Sequence, residues 1–390
     1  MNVGRRVMIT AAVVGIVALA VLAVLVIVGF TTTTLFFRAY LLGYQYWLGL
    51  SLGSLGIVVV QFLTGGRWGL ATRRIFEAGI ATLPMMAVLF VPLLLGLQPL
   101  YAWARPDVVA ADPVLQHKSI YLNIPFFVIR ALVYLVCWVV LGYLMRRWSL
   151  RQDRTDDPAV LVRLQRLSIV AALVLSFTVT LAAIDWLMSL EPDWFSTMYP
   201  PMIAMGDLLL ALAFGVVIVA VFGPRSALGE ILTPNLFNDL GSLLLAFTML
   251  WGYLEFFQYM LIWAGNLSDE IPWYVSRSQG GWQPLAITVG AVAFFLPWYL
   301  LLFRPLKRNP RTLAAIALLL VCMQVVSVFW MVAPPFEPDG PAVSLLDVLA
   351  VVGFGGLWLA VFAWQLGARP LLPAYDPRVQ PALEAAHESA

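Results

Sequence analysis

The sequence has few of the side chains that usually hold metal ions or haem. Its 390 residues include 2 cysteines and 2 histidines. Cys137 and Cys322 each stand alone in a different apolar block, which excludes a disulfide framework, a cysteine zinc site and an iron–sulfur cluster held by this chain alone. His117 and His387 lie outside the apolar blocks, so a bis-histidine haem buried in a membrane is excluded as well. We therefore expect the chain to bind no haem, metal ion or iron–sulfur cluster of its own.

Charge is equally scarce. Charged residues make up 11% of the chain and hydrophobic residues 62%, whereas an ordinary soluble domain has roughly 25% charged residues. The net charge is +2, and the basic residues form no patch with interleaved aromatics, so nucleic acid is not an expected partner. Most of the apolar residues fall in blocks of about twenty, the helix length that crosses a hydrocarbon core. The sequence predicts an all-α integral membrane protein surrounded by lipids.

Ten blocks are long enough to be transmembrane helices. We place them at residues 7–30, 41–63, 75–97, 122–145, 164–189, 198–222, 239–264, 283–303, 312–332 and 343–366. The sequence thus predicts a polytopic transmembrane domain over residues 1–368 and a short polar C-terminal tail over residues 369–390.

Basic residues set the expected orientation. With ten spans, 18 of the Lys and Arg residues fall on the side of the N-terminus and 4 on the other side, with Arg130 inside a helix. Cytoplasmic loops accumulate Lys and Arg, so both termini are predicted to be cytoplasmic. The loops on the other side carry LEPDW at 190–194 and NLSDEIPW at 266–273. We interpret these aromatic loops either as structured docking surfaces or as the usual interfacial Trp/Tyr belt.

Four ionisable residues lie within predicted spans, where each is a functional candidate because an unpaired charge in lipid is costly. They are Arg130, Asp185, Asp207 and Glu255. Three of them lie roughly 12 to 14 Å from the external ends of their helices at a rise of 1.5 Å per residue, and Asp185 lies about one turn from that surface. The sequence predicts that they form one hydrated cluster that transfers protons. One alternative is that Arg130 neutralises one acid and the cluster only fixes helix packing. Another is that these residues contact a ligand directly.

Further polar residues join the predicted proton-transfer set. Gln258 shares a helix face with Glu255, and Tyr253 lies in the same run. Glu77 and Asp239 sit at the predicted starts of the third and seventh spans, where the helix macrodipole alone also favours an acid. In the ninth span, Gln324 and Ser327 add polarity that packing hydrogen bonds would explain.

Several long runs of sequence resemble one known family. The runs are WGYLEFFQY at 251–259, IWAGNL at 262–267, EIPWY at 270–274, AIDWLMSLEP at 183–192, RWSLRQD at 147–153, HKS at 117–119 and YLNIPFFVIR at 121–130. Together they are similar to the F subunit of bacterial alternative complex III, a quinol:electron-acceptor oxidoreductase. The resemblance extends from about residue 36 to residue 381.

The resemblance implies a fold and a set of partners. The fold is a ten-helix member of the NrfD/PsrC-like superfamily with two four-helix bundles plus two flanking helices. The partners are a homologous ten-helix quinol-binding subunit, an iron–sulfur subunit, and multihaem and monohaem cytochrome c subunits in the bacterial cytoplasmic membrane. Quinone, either menaquinone or ubiquinone, haem c and iron–sulfur clusters then belong to the complex, with cytochrome c or a cupredoxin as electron acceptor. This chain is expected to be a non-redox subunit that supports quinol oxidation and provides a proton path.

Two other classes of protein stay open. An ion-coupled secondary transporter often has paired helices broken by Gly or Pro in two repeats. Here Pro84, Pro92 and Pro297 show no such pairing. The second is a structural membrane scaffold that moves no protons.

Overall fold

The computed structural model describes residues 2–29, 31–66, 68–155, 157–372, 376 and 379–387. Within these residues the chain is helical and contains no β-strand. Ten helices are long and apolar enough to cross a membrane, which confirms the predicted all-α membrane fold. They are α1 (Arg5–Ile27), α2 (Thr33–Thr64), α3 (Trp68–Leu95), α4 (Ile124–Arg151), α5 (Pro158–Leu190), α6 (Tyr199–Arg225), α7 (Pro234–Gly265), α8 (Trp282–Leu302), α9 (Pro310–Val332) and α10 (Leu345–Gly367).

Shorter helices connect the spans, and helix α11 (Val379–His387) follows them. The short helices are Leu97–Leu100, Ala102–Ala104, Pro106–Ala111, Pro113–Lys118, Ala227–Ile231, Pro272–Ser276, Arg304–Arg308 and Pro334–Phe336. Two spans are irregular. Helix α3 consists of three consecutive segments, two of which begin around Pro84 and Pro92, and α8 contains a π-helical stretch, Val289–Phe295, just before Pro297. Proline interrupts the helical hydrogen-bond ladder, which accounts for the breaks.

The spans pack as two groups of four. Helices α2, α3, α4 and α5 contact one another in the first group, and α6, α7, α8 and α9 in the second. The two groups meet mainly where α2 packs against α6. Helix α10 packs against α2 and α3, and α1 lies along α10. This arrangement agrees with the two bundles and two flanking helices that the resemblance implies.

The seam between α2 and α6 is close because glycines line it. A Cβ atom on Gly53 would lie 2.0 Å from the backbone oxygen of Asp207, and one on Gly49 would lie 2.2 Å from Oδ1 of the same residue. Small residues of this kind let two membrane helices approach until their backbones touch. The seam therefore places the Asp207 carboxylate in the centre of the molecule, between the two groups.

We call the face where α1 begins and α10 ends the terminal face, and the other the loop face. On the terminal face, Arg73 bonds Glu77 and Asp376 at 3.0 Å each and also bonds Ser149. Arg74 bonds Glu77 at 2.5 Å. This buried network explains why α3 begins at Trp68, seven residues before the predicted start at 75. Paired arginines can continue a helix that composition alone would end.

The C-terminal tail packs on the same face. Apolar side chains of the tail, among them Leu371 and Leu383, contact a small buried cluster that includes Leu70 and Leu228. The tail residues 373–375, 377–378 and 388–390 lie outside the described part of the chain. Where it is described, the tail covers the ends of the spans.

On the loop face, the two aromatic loops pack against each other. The rings of Trp194 and Trp273 stack with centroids 4.8 Å apart, and the Trp194 indole nitrogen donates to the Glu270 carbonyl oxygen at 2.9 Å. Arg277 covers the Trp273 ring and pairs with Glu191 at 2.6 Å. Both tryptophans are buried. These two rings therefore hold the two loops together.

Candidate functional site

The first of the predicted charged residues form a tight pair inside the first group. Arg130 on α4 donates to Asp185 on α5 through two nitrogens, Nε to Oδ2 at 2.7 Å and Nη2 to Oδ1 at 3.0 Å. Its third nitrogen donates to the Tyr121 carbonyl oxygen at 2.9 Å, and the Tyr134 hydroxyl donates to Asp185 at 2.9 Å. Two-point pairing of guanidinium and carboxylate is among the strongest polar contacts in proteins. Asp185 is therefore fully engaged.

Aromatic rings seal this pair. The Arg130 guanidinium carbon lies 3.8 Å from the ring centre of Tyr121 and 4.3 Å from that of Phe126. Tyr121 lies just before α4, where burial and, to a smaller extent, the nearby Asp185 carboxylate raise the pKa of its hydroxyl to about 12. Its hydroxyl therefore stays protonated at neutral pH. The two rings hold the Arg130–Asp185 pair in one geometry, which indicates a structural role for the pair.

Asp207 lies in a different setting. It lines a small cavity of about 20 Å³ between the two groups. The cavity, which we call the Asp207 cavity, is lined by Gln45, Leu187, Met202, Ile203, Gly206, Asp207, Trp251, Gln324, Ser327, Val328 and Met331. Within the described part of the chain, the Asp207 carboxylate has no hydrogen bond and no ion pair. Such a space holds about one water molecule, which requires roughly 10 to 15 Å³ and several polar partners.

Glu255 lies one helical turn from Trp251 on α7, near the same cavity. Its Oε1 is buried and has no hydrogen-bond partner among the described residues. The Trp251 indole lies beside the carboxylate. Towards the loop face, Gln258 accepts a hydrogen bond from Ser196 at 3.2 Å. Burial raises the pKa of the Tyr274 hydroxyl, and the Glu255 carboxylate raises it further.

The structure brings some of the predicted residues together and separates others. Arg130 and Asp185 meet, and Trp251 lies beside Glu255 and lines the same cavity as Asp207. No hydrogen bond or ion pair joins Arg130 to Asp207 or Glu255 in the ranges that the structure describes. The four residues therefore divide into one closed pair and two acids without a counter-charge.

The remaining members of the predicted set lie elsewhere. Tyr253 is 55% exposed and stacks on Phe257 at the outer surface of α7. Glu77 lies in the third turn of α3, held by Arg73 and Arg74. Its predicted position at the start of a span is wrong, because the helix begins at Trp68. Asp239 is exposed on the terminal face, in the second turn of α7 because that helix begins at Pro234, so its predicted place at the start of the span is also wrong.

Sequence reasoning missed one residue of the central cavity. Gln45 on α2 is buried and lines the cavity with Asp207. A lone glutamine in the middle of a span was the available signal. Gln324 and Ser327, interpreted as packing residues, line it too. Ser327 does bond within its helix, to the Met323 oxygen at 3.2 Å.

The potential metal ligands and two cavities of the described residues bear on which groups the chain could hold. In the described ranges, no group of three or more His, Cys, Asp or Glu side chains is arranged to hold a metal ion. The Asp207 cavity is far smaller than the several hundred Å³ of a cofactor pocket. A groove of about 620 Å³ between α1, α2 and α10 is large enough, but its lining is almost entirely apolar, with Arg6 and Thr10 at one end. Such a mostly apolar lining suits a lipid chain.

Comparison with known proteins adds no identification. No family model matches the chain, and no curated protein matches it. Its function is therefore inferred from its own residues and their geometry.

Proposed function

We propose that this chain is a non-redox membrane subunit of a quinol:electron-acceptor oxidoreductase of the alternative complex III type, and that it provides part of a proton path. Support for the complex comes from the sequence runs at 183–192 and 251–259. Their polar residues Asp185, Glu255 and Gln258 turn towards the protein interior. A ten-span chain with two groups of four is also the architecture that the resemblance implies.

The observation that carries the proton path is the pair of acids without a counter-charge. Asp207 and Glu255 lie in neighbouring spans of the second group, and neither has a cationic partner in the described residues. An isolated carboxylate is costly in a membrane, so each acid is stable when it holds a proton or contacts water. A carboxyl group in such a position can take up a proton and release it.

The path begins at the loop face. Ser196 and Gln258 lie on the loop-face side of Glu255, Trp251 lies beside Glu255 and lines the cavity, and Asp207 ends the series. Beyond Asp207, residues 208–222 of α6 are apolar without exception. The chain therefore offers a path from the loop face as far as Asp207.

In this proposal the terminal face is cytoplasmic and the loop face carries the redox partners. The distribution of 18 basic residues against 4 supports that orientation. The quinol site, the iron–sulfur clusters and the haems belong to the sister ten-helix subunit, the iron–sulfur subunit and the cytochrome c subunits. The role of this chain is to support the quinol-oxidising subunit and to exchange protons near it.

The test is to purify the complex from native membranes and to substitute Glu255→Gln. We expect a c-type haem spectrum and a co-purifying iron–sulfur subunit. The variant should assemble normally and lose proton uptake by about tenfold or more. Tyr253→Phe is the matched control, because Tyr253 lies two residues away but faces outwards, and it should leave proton uptake unchanged.

Two results would reject the parts of the proposal separately. If Glu255→Gln keeps full proton uptake in an intact complex, Glu255 is not on a proton path. If the chain purifies alone and binds a solute in an ion-dependent manner, it is a secondary transporter.

A further inference from the structure

The Asp207 cavity contains an unusual set of oxygen atoms for the interior of a membrane protein. The polar side chains that line it are those of Asp207, Gln45, Gln324, Ser327 and Trp251. The indole N–H of Trp251 can only donate. The other four side chains carry five oxygens, namely two on the carboxylate, two amide oxygens and one hydroxyl oxygen, and Oδ1 of the carboxylate packs against Gly49.

Two of these side chains are buried and have no partner. Gln45 is 6% exposed and Gln324 is 5% exposed, and neither amide has a hydrogen bond within the described part of the chain. A buried amide without a partner costs about 1 to 3 kcal/mol, so native proteins rarely keep one without a ligand or a water molecule. Ser327 directs its proton to the Met323 oxygen, which leaves its own oxygen lone pairs available. The cavity lining thus includes two amide groups and a hydroxyl oxygen that have no hydrogen-bond donor bound to them within the described residues.

The carboxylate is held in place on its other side. Oδ1 of Asp207 occupies the space that a Cβ atom on Gly49 would need, 2.2 Å away. The close seam between α2 and α6 therefore fixes the carboxylate before any ligand arrives. Preorganised ligands of this kind lower the cost of binding an ion.

Size and charge decide which ligand fits. A space of about 20 Å³ holds one ion or one water molecule. The only net charge among the lining side chains is the negative charge of Asp207. A monovalent cation neutralises it, whereas a divalent cation would leave an unpaired positive charge in a low-dielectric interior.

We propose that the Asp207 cavity binds one Na⁺ ion. Its ligands are the oxygens of Asp207, Gln45, Gln324 and Ser327. Hard cations prefer carboxylate, carbonyl and hydroxyl oxygens, and in secondary transporters the coupling ions bind where two groups of helices meet. The site goes beyond the proposed proton path, because it depends on this chain alone and not on the redox partners.

The test is direct binding of radiolabelled Na⁺ to the full chain in lipid nanodiscs. We expect saturable binding of about one ion per chain that excess choline does not displace, because choline is too large for the cavity. Asp207→Asn should abolish binding. Glu255→Gln, which removes a neighbouring acid outside the cavity lining, should retain it.

A milder variant covers the case in which Asp207→Asn fails to fold. Ser327→Ala removes one ligand and leaves the helix intact, so it should weaken Na⁺ affinity by about tenfold, the effect of losing one contact worth about 1.4 kcal/mol. Absence of saturable Na⁺ binding in the wild-type chain would overturn the site and identify a cavity that holds only water or a proton. A Na⁺ affinity that is unchanged in the single variant Ser327→Ala, or in a folded Asp207→Asn variant, would overturn the site as well. Neither result depends on proton uptake, so the two proposals fail independently.

Discussion

The two groups of four helices differ in whether their acidic residues form ion pairs. In the first group, Asp185 is bound by Arg130 at two points, and Glu77 is bound by Arg73 and Arg74. In the second group, Asp207 and Glu255 form no ion pair within the described residues. A paired charge holds its neighbours in one arrangement, whereas an unpaired acid must exchange its charge with a proton or an ion. The comparison teaches that equal depth in a membrane does not imply an equal role.

The largest effect on stability is expected from a substitution of Arg130, the cation of the buried pair in the first group. Arg130→Ala leaves the Asp185 carboxylate buried without its cation, and we expect it to lower the free energy of unfolding by about 3 kcal/mol or more. The measurement is denaturant unfolding in lipid or detergent micelles. Arg105→Ala is the matched control, since Arg105 is an exposed arginine on the loop face. Its free energy of unfolding should stay within about 0.5 kcal/mol of wild type.

A double variant checks the cause. Asp185→Asn added to Arg130→Ala removes the stranded charge, so it should recover part of the lost stability. If the double variant is no more stable than Arg130→Ala, the loss comes from packing rather than from charge.

The second prediction compares one acid from each group. Asp185→Asn should lower the free energy of unfolding by about 2 kcal/mol, because Arg130 loses a charged partner. Asp207→Asn, measured without Na⁺, should change it by less than about 1 kcal/mol, because no buried cation is left unpaired. Equal losses in the two variants, measured by the same unfolding assay, would remove the distinction between the groups.

The third prediction concerns the terminal-face network of the first group. Ser149 accepts hydrogen bonds from Arg73 and donates one to Glu77. Ser149→Ala should therefore cost about 1 to 2 kcal/mol of unfolding free energy. Ser176→Ala, at an exposed serine that bonds only within its own helix, should have almost no effect. A similarly small change in the free energy of unfolding of both variants would mean that the other residues of the network compensate for the lost Ser149 hydroxyl.

The smallest effect on stability is expected from single cysteines that compare the two faces. Arg151 and Asp269 are exposed on the terminal face and the loop face, respectively. In a chain without Cys137 and Cys322, a membrane-impermeant thiol reagent added outside intact cells should label Asp269→Cys and leave Arg151→Cys unlabelled. The opposite pattern would invert the proposed orientation.

The spans were predictable because an apolar block of about twenty residues has few other stable forms in lipid. The first residues of the spans were less predictable where a charged residue lies in the first turns of the helix. Helix α2 begins at Thr33 instead of 41, because Arg38 is buried against Glu337 and Asp347, which lie about three hundred residues later. Hydropathy cannot identify a partner so distant in sequence.

The sequence predicts how deep the charged residues lie in the membrane, but not which neighbouring helix each side chain faces. Helix rise places Arg130, Asp207 and Glu255 at similar heights, yet only packing decides that Arg130 faces α5 and Glu255 faces Trp251. Helical periodicity alone argues against grouping Tyr253 with Glu255, since two residues correspond to a rotation of about 200°. The exposed position of Tyr253 agrees with that rotation.

The packing of α1 against α10 has a consequence for biosynthesis. Helix α1 makes most of its contacts with α10 and very few with α2, its neighbour in sequence. A ribosome that adds roughly 5 to 20 residues per second needs on the order of 15 to 60 s to make the chain between them. During that time α1 lies in the bilayer without its partner, while the helices of both groups can already assemble. The first helix made is then the last to dock, and truncation before α10 would leave α1 unattached to an otherwise assembled protein.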